Sequence, residues 1–299
     1  MDRDTRFFQQ HRSRLLGLAY RMLGTPADAE DVLHDAWLRW HAQDKNALDD
    51  PQAWLVTVTT RLALDRLRHA KVERERYTGP WLPEPLIESG EQPEAEAERA
   101  QTLTVSFLLL LERLSAEERA AFLLNEVFDY SHAETAAMLG ITEESCRQRV
   151  HRARQRLRQD RPRFHSDTTT QRQLLERFAA ALEHPTAQNL HALLAADAVH
   201  VADGGGVVTA TLRPLHGAER IARLYLQIAQ HEQGHRIERA LRMLNGEPAL
   251  LTWADGKLVT AIWIECDDSQ IVSMQVLRNP AKLARLAAVT NSPAGTSLH

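Results

Sequence analysis

The sequence contains little of what a disulfide-bonded, metal-binding or membrane protein needs. It has two cysteines, Cys146 and Cys266, which lie far apart and lack the spacing of metal ligands. No run approaches 18 apolar residues, and the charged segment 1–8 has no apolar centre, so we expect neither a membrane span nor a secretory signal. So little cysteine favours a reducing, cytoplasmic compartment. We predict no metal and no cofactor.

The chain also lacks a strong net charge. Its formal charge of −4 over 299 residues argues against a protein that coats nucleic acid without regard to sequence. The charge is instead segregated, since residues 147–163 hold eight arginines and one acid, whereas residues 84–98 hold six acids and no base. Contents of 43% hydrophobic and 25% charged residues are ordinary for globular domains. We therefore expect local rather than general contact with phosphate.

Residues 131–142 have the signals of two short helices joined by a tight turn. Ser131 and Glu134 have the spacing of a capping box, and the helix that they open continues to Leu139. Gly140 suits the left-handed position after a helix, and Thr142 can cap the next one. This pattern predicts a helix-turn-helix.

The second helix of this motif has two different sides. Cys146, Val150, Ala153 and Leu157 recur at spacings of four, three and four, which predicts one buried face. The opposite side carries Arg147, Gln148, Arg149, His151 and Arg152. A run of charge is often only a solvated face, but basic side chains with a glutamine on one side are typical of a helix that reads DNA.

The pattern along the chain divides it into five segments. Helix starts at Pro26 and Pro51 place a helical domain at 1–76, and Pro, Gly and Glu mark 77–100 as a linker. A second helical domain covers 101–165, a third domain 166–289 and a flexible tail 290–299. In the third domain we predict helices at 169–184, 186–194 and 218–230. Alternation predicts strands at 198–202, 207–212, 249–254, 258–265 and 271–278, which form a curved antiparallel sheet of α+β class.

Both helical blocks resemble bacterial sigma factors of the extracytoplasmic-function (ECF) type. The resemblance rests on the segments 29–37, 53–55 and 63–68 for region 2 and on 114–158 for region 4. The rest of the chain resembles the ECF subgroup with a C-terminal SnoaL-like extension of NTF2-like fold. Its signatures here are Trp81-Leu82-Pro83-Glu84-Pro85, Asp203-Gly204-Gly205-Gly206 and Asn279-Pro280-Ala281-Lys282-Leu283. The last has Ala281 where the subgroup has an aspartate. The implied fold is two all-α sigma domains followed by an α+β cone.

The resemblance implies a protein without bond chemistry, which brings core RNA polymerase to −35 and −10 promoter elements. For the −35 element we expect base contacts by Arg147, Gln148, His151 and Arg152 and phosphate contacts by Arg149, Arg154 and Arg156. For the −10 element the candidates are Lys45, Asn46, Arg61, Arg66 and Arg68, with Asn46 capturing an unstacked base. Asp31, Asp35 and Arg39 are candidates for docking on polymerase, and ordinary surface charge is the alternative.

The three subgroup signatures imply regulation in cis by the extension. The interdomain set comprises Trp81, Leu82, Pro83, Glu84, Pro85, Asp203, Gly204, Gly205, Gly206, Asn279, Pro280, Lys282 and Leu283. The glycines can equally serve a turn, and the two roles are compatible. The expected partners are promoter DNA and core polymerase, through its β′ clamp and β flap. We expect a monomer without a dedicated anti-sigma factor.

Other interpretations of single features remain open. Trp54 can stack on a base, but its spacing with Leu55 and Val58 favours core packing. A rival function is a helix-turn-helix regulator fused to a small-molecule-binding or isomerase-like NTF2-fold domain, whose pocket could include His200, Asp203, Trp253, Asp255 and Trp263. Residues 231–235 match the zinc-protease pattern H-E-x-x-H, but Gly234 weakens the single helical face that such a site requires.

Overall fold

The computed structural model describes residues 2–86, 104–159 and 167–289. These form two compact units: one combines residues 2–75 with 107–159, and the other combines 76–86 and 104–106 with 167–289. The acidic residues 88–98, Arg161, Arg163 and the predicted tail 290–299 lie outside the described residues. None of the described helices is long and apolar enough to cross a membrane.

The N-terminal half is helical, as the sequence predicts. Its helices are α1 (Arg3–Leu23), α2 (Pro26–Ala42), α3 (Pro51–Glu75), α4 (Val105–Leu111), α5 (Ala116–Phe122), α6 (His132–Leu139) and α7 (Glu143–Gln159). Local signals set the ends: α1 begins at an Asp2 cap that accepts from the Thr5 N–H, and it ends at Gly24 in the left-handed conformation. A core of apolar side chains, with Tyr20 and Trp40 among its largest members, fixes α1 to α2 and α3.

The second unit is a six-stranded sheet covered by helices. Its elements are α8 (Thr168–Glu183), α9 (Ala187–Ala192), β1 (Leu194–Asp203), β2 (Leu215–His216), α10 (Ala218–Glu232), β3 (Ile237–Leu244), β4 (Glu247–Ala254), β5 (Lys257–Cys266), β6 (Ile271–Leu277) and α11 (Pro280–Val289). The strand order is β2-β1-β6-β5-β4-β3, in which β1 and β6 are parallel and the other neighbours are antiparallel. Helices α8 and α10 bury Phe178 and Tyr225, whose rings meet edge to face at 4.9 Å.

Two expectations about this sheet are wrong, and strands β2 and β3 were not among the predicted elements. The sheet is mixed rather than antiparallel, because β1 pairs with β6 from the far end of the unit. Residues 207–212 are not a strand, since Gly205 and Gly206 take positive φ and turn the chain away from the ladder. Helix α11 was not predicted either, and β3 carries three charged side chains that hide its alternation.

Candidate functional site

Helices α6 and α7 form the predicted helix-turn-helix. The Ser131 hydroxyl accepts from the Glu134 N–H at 3.2 Å, and the Glu134 carboxylate accepts from the Ser131 N–H at 2.8 Å. Gly140 has φ of 67° and ends α6, and the Thr142 hydroxyl accepts from the Ser145 N–H at the start of α7. Each end therefore satisfies backbone groups that the helix itself leaves free.

The two sides of α7 differ as the sequence predicts. Cys146, Val150, Ala153 and Leu157 are buried and pack toward α5 and α6. Arg147, Gln148, His151 and Arg152 are exposed together on the other side, and Arg149 is half-buried. A helix with one anchored face and one basic, exposed face can enter a major groove and present donors to base edges.

Several arginines of α7 are paired with acids of the same unit. The Glu118 carboxylate, only 6% exposed, accepts from both Arg152 and Arg156. Burial by itself raises the pKa of Glu118, but the Ser115 backbone N–H and these guanidinium groups hold that pKa below its usual value. The other pairs are Arg147 with Glu143 and Arg154 with Glu126. Exposed pairs of this kind are worth little and can exchange for phosphate.

The predicted −10 residues lie around α3 and the turn before it. Asn46 is exposed in a 3₁₀ turn (Lys45–Ala47), while Lys45 pairs with Asp4 at 3.1 Å. Two of the three candidate arginines of α3 contact the second helical block: Arg61 Nε donates to the Met138 carbonyl at 3.2 Å, and Arg68 pairs with Glu117 at 2.9 Å.

The remaining candidates of the first block lie on or near α2. Asp31, Asp35 and Arg39 are exposed there, on the side opposite the buried Val32 and Leu33. Arg66, the remaining candidate arginine of α3, pairs with Asp28 at 2.7 Å and approaches Asp31 at 3.5 Å. Trp54 is half-buried and its ring lies 5.8 Å from that of Trp40, so its larger role in this structure is packing.

Residues 77–86 pack against the sheet of the second unit through a group that we call the linker clamp: Tyr77, Leu82, Asp203, Asn279 and Lys282. The fully buried Asp203 carboxylate accepts from the Tyr77 hydroxyl at 2.5 Å, the Leu82 N–H at 3.0 Å and the Lys282 ammonium at 2.7 Å. These donors, of which Lys282 is also the buried counter-ion, and the Gly205 N–H at 3.0 Å satisfy the carboxylate as burial requires.

Lys282 and Asn279 complete the clamp. The Lys282 ammonium also donates to the Leu82 carbonyl, and it lies 4.3 Å from the ring centre of Trp81. The Asn279 amide donates to the Tyr77 hydroxyl at 2.7 Å, and its carbonyl caps α11 at the Ala281 N–H. A cation held against an aromatic face adds to the ion pair with Asp203. The structure thus brings together residues of all three predicted signatures.

The glycine loop approaches its neighbours too closely for side chains. A Cβ on Gly205 would meet the Asn279 amide at 2.6 Å, and one on Gly206 would meet Thr78 at 2.9 Å. A Cβ on Gly204 would lie 2.6 Å from the Val208 carbonyl oxygen. The loop therefore serves both as a turn and as a surface for close packing.

The rest of the signature residues lie around the clamp. Pro83, Glu84 and Pro85 are buried, and Glu84 pairs with Arg285 of α11 at 3.2 Å. Pro280 opens α11 and Leu283 is buried on it. Ala281, which stands in place of the subgroup's aspartate, is exposed, and the cation beside it pairs instead with Asp203.

Three groups of this site have weak signals in the sequence. Tyr77 is a lone aromatic before a Pro- and Gly-rich stretch, and only the fold shows that its hydroxyl reaches Asp203. Glu118 forms a capping box with Ser115 at the start of α5, yet it also holds two arginines of α7. The half-buried Glu112 pairs with Arg74 and Arg119, and nothing in their spacing reveals it.

The structure decides against the zinc-protease interpretation of the second unit and divides the suggested pocket residues between different places. Helix α10 ends at Glu232 and Gly234 has φ of 93°, so His231 and His235 do not lie on one helical face. Of the suggested pocket residues, His200 lines a cavity, but Asp203 belongs to the clamp and Asp255 is exposed in the turn between β4 and β5.

Comparison with known proteins gives matches to both helical blocks and to the chain as a whole. Residues 7–72 match the sigma-70 region 2 family and residues 104–157 match sigma-70 region 4. The chain is 33% identical over 288 residues to the ECF RNA polymerase sigma factor SigJ of Mycobacterium tuberculosis, covering 92% of this chain and 91% of that protein. It is 34% identical over 166 residues to the ECF RNA polymerase sigma factor SigE of Mycolicibacterium smegmatis, covering 54% and 63%.

The similarity extends to a solved structure. The crystal structure of M. tuberculosis SigJ aligns with a TM-score of 0.74 at 31% identity, covering 94% of this chain and 98% of that one. The predicted order of fold classes is thereby confirmed: two all-α sigma regions precede an α+β part, with the correction that its sheet is mixed.

Proposed function

Because the chain belongs to the family of ECF RNA polymerase sigma factors, we propose that it directs core polymerase to promoters with −35 and −10 elements and that its own C-terminal unit regulates this activity. The observation that carries the first part is the recognition helix α7, whose apolar face is anchored and whose basic face is exposed. The observation that carries the second part is the linker clamp.

At the −35 element, Arg147, Gln148, His151 and Arg152 contact base edges in the major groove. A bidentate contact of arginine with guanine, or of glutamine with adenine, is worth roughly 1–3 kcal/mol of discrimination. Arg149, Arg154 and Arg156 bind phosphates, which position the helix without reading sequence.

At the −10 element, Asn46 and Lys45 act from the loop before α3, and Arg61, Arg66 and Arg68 follow the backbone. All three arginines are held by partners within the first unit, and two of those partners, Met138 and Glu117, belong to the second helical block. DNA phosphate therefore competes with internal acceptors, and binding to both elements requires that the two helical blocks release these contacts.

The partners proposed for the first block are parts of the polymerase. Asp31, Asp35 and Arg39 form an exposed charged surface on α2 that suits the β′ clamp, and region 4 suits the β flap. We further propose that the protein acts in the cytoplasm as a monomer, and that the C-terminal unit takes the place of a separate anti-sigma factor.

Regulation in cis follows from where the clamp holds the chain. The clamp fixes residues 77–86, which lie in the sequence between the two promoter-reading regions, onto the C-terminal unit. Whatever loosens the clamp lengthens the free segment between regions 2 and 4, and so changes the separations that they can span.

Run-off transcription with purified bacterial core polymerase tests both parts. The wild-type chain is expected to give a promoter-specific transcript, and Asp203→Asn is expected to change its amount at least threefold while the variant still associates with core polymerase. Arg223→Gln, which removes an exposed helix pair with Glu219 remote from the clamp, is the control. No transcript from any promoter offered, with no association with core polymerase, contradicts the first part. A transcript that Asp203→Asn leaves unchanged contradicts the second.

The rival function, a helix-turn-helix regulator without a role in initiation, makes a different prediction. Such a protein binds DNA without core polymerase, and the exposed charges of α2 have no role in its binding. Substituting Asp31 and Asp35 with asparagine should abolish association with core polymerase under our proposal and leave DNA binding by α7 intact. Under the rival function, the wild-type chain would not associate with core polymerase at all.

A further inference from the structure

The C-terminal unit encloses a cavity that the clamp and the promoter-reading residues do not use. Its volume is about 540 Å³, and it lies between the sheet and helix α10. Most of its wall is apolar, with side chains such as Ile228, Ile262 and Val276. A volume of several hundred cubic ångströms with an apolar wall and a few polar groups is the usual form of a site for a small organic molecule.

Five buried polar atoms in this wall have no hydrogen-bond partner among the described residues. They are His200 Nδ1, Thr211 Oγ1, Tyr225 OH, Arg239 Nε and Arg278 Nε. His200 and Tyr225 are 2% and 4% exposed, and their rings lie 5.8 Å apart. A buried polar group without a hydrogen-bond partner is unfavourable, so five around one cavity indicate a bound partner with polar atoms of its own.

The charged side chains of the cavity wall indicate the charge of the molecule that binds there. Arg239 is neutralised by a salt bridge with Glu232, which is the one carboxylate among the described residues of the wall. Arg278 donates to the Thr209 carbonyl, and no described carboxylate lies within salt-bridge distance of it. Burial holds the pKa of His200 at about 4, so this imidazole is neutral at pH 7. The Arg278 guanidinium is therefore left without a counter-ion in a mainly apolar cavity.

We propose that this cavity binds a small, mainly apolar organic anion whose carboxylate, sulfonate or phenolate group is held by Arg278, with Tyr225 and His200 as hydrogen-bonding partners. The anion supplies the missing counter-charge, and the apolar wall takes up its ring or chain. The inference concerns binding, and it stands whether or not the protein acts as a sigma factor.

Two fluorescent probes of similar shape and different charge test the proposal on the full chain. Anilinonaphthalene sulfonate is an anion, and phenylnaphthylamine is the corresponding neutral molecule. The anion is expected to bind at one site per chain and more tightly than the neutral probe. Arg278→Met should weaken the anion at least tenfold and the neutral probe by less than twofold. Arg223→Met, an exposed arginine outside the cavity, should change neither affinity.

Two further variants and one spectroscopic measurement keep the test decisive if Arg278→Met fails to fold. Ala254→Phe fills part of the cavity and should weaken both probes, and Tyr225→Phe removes one hydroxyl and should weaken the anion more than the neutral probe. Binding should also shift the imidazole resonances of His200 in an isotope-labelled sample. The proposal is overturned if the anion binds no better than the neutral probe, if Ala254→Phe leaves both affinities unchanged, or if His200 does not respond.

Discussion

Replacing Tyr77 by phenylalanine tests whether the linker clamp holds residues 77–86 in place. The substitution removes the hydroxyl that donates to the Asp203 carboxylate and accepts from Asn279, and it keeps the ring that lies 5.4 Å from the Lys282 ammonium. Burial, together with the neighbouring Asp203 carboxylate, raises the pKa of Tyr77 far above its ordinary value. The hydroxyl therefore remains a donor throughout the physiological range.

The size of the effect follows from the charge of the acceptor. A hydrogen bond to a charged group contributes about 1.5–3 kcal/mol, and each 1.4 kcal/mol is a factor of ten in an equilibrium constant. The Leu82 N–H donates to the same carboxylate at 3.0 Å, so its exchange with solvent reports the opening of the clamp. Exchange at Leu82 should become about 10-fold to 100-fold faster in Tyr77→Phe.

Amide-resolved hydrogen exchange by NMR on deuterated full-length protein measures this rate. Tyr130→Phe, a substitution of a half-buried tyrosine in the other unit, is the matched control and should leave Leu82 unchanged. If Tyr77→Phe changes exchange at Leu82 no more than the control does, the clamp does not hold the linker, and the physical basis proposed for regulation in cis is wrong.

Three other predictions concern the arginines of α7, the ion pairs of Glu112 and the buried His200. Arg152→Ala should weaken DNA binding mainly at promoters with the preferred −35 base. Arg156→Ala should weaken binding to all promoters alike and reduce the slope of log affinity against log salt concentration by about one. Identical behaviour of the two variants in filter binding would contradict the division into base and phosphate contacts. Glu112→Gln should cost about 1.5–3 kcal/mol in urea unfolding, because Arg74 and Arg119 lose the charged acceptor of their hydrogen bonds at a partly buried position. The pKa of His200 is about 4 in the folded chain and 6.5 in the unfolded chain, so the unfolded chain binds the proton first as the pH falls. The free energy of unfolding should therefore decrease by about 2 kcal/mol between pH 7 and pH 4.5. In His200→Gln, urea unfolding should show a flatter pH profile over this range.

The sequence by itself determined the helix-turn-helix. Its evidence is local: the capping box of Ser131 with Glu134, the left-handed Gly140 and the spacing of Cys146 with Val150 all act within a few residues of chain. Helix period and caps depend on hydrogen bonds between near neighbours, so a linear pattern is enough to place them. The joint match of two such blocks then indicated the sigma family, which the comparisons confirm.

Tertiary structure alone decided how the C-terminal unit is arranged. Pairing of β1 with β6 joins residues more than 70 positions apart, and no local pattern distinguishes a parallel neighbour from an antiparallel one. The partners of Asp203 come from both sides of it in the chain, 126 residues before at Tyr77 and 79 after at Lys282. Likewise, the five polar atoms around the cavity meet only once the sheet and α10 have closed over them. Which buried charge meets which donor depends on packing between distant segments, and the order of residues does not specify it.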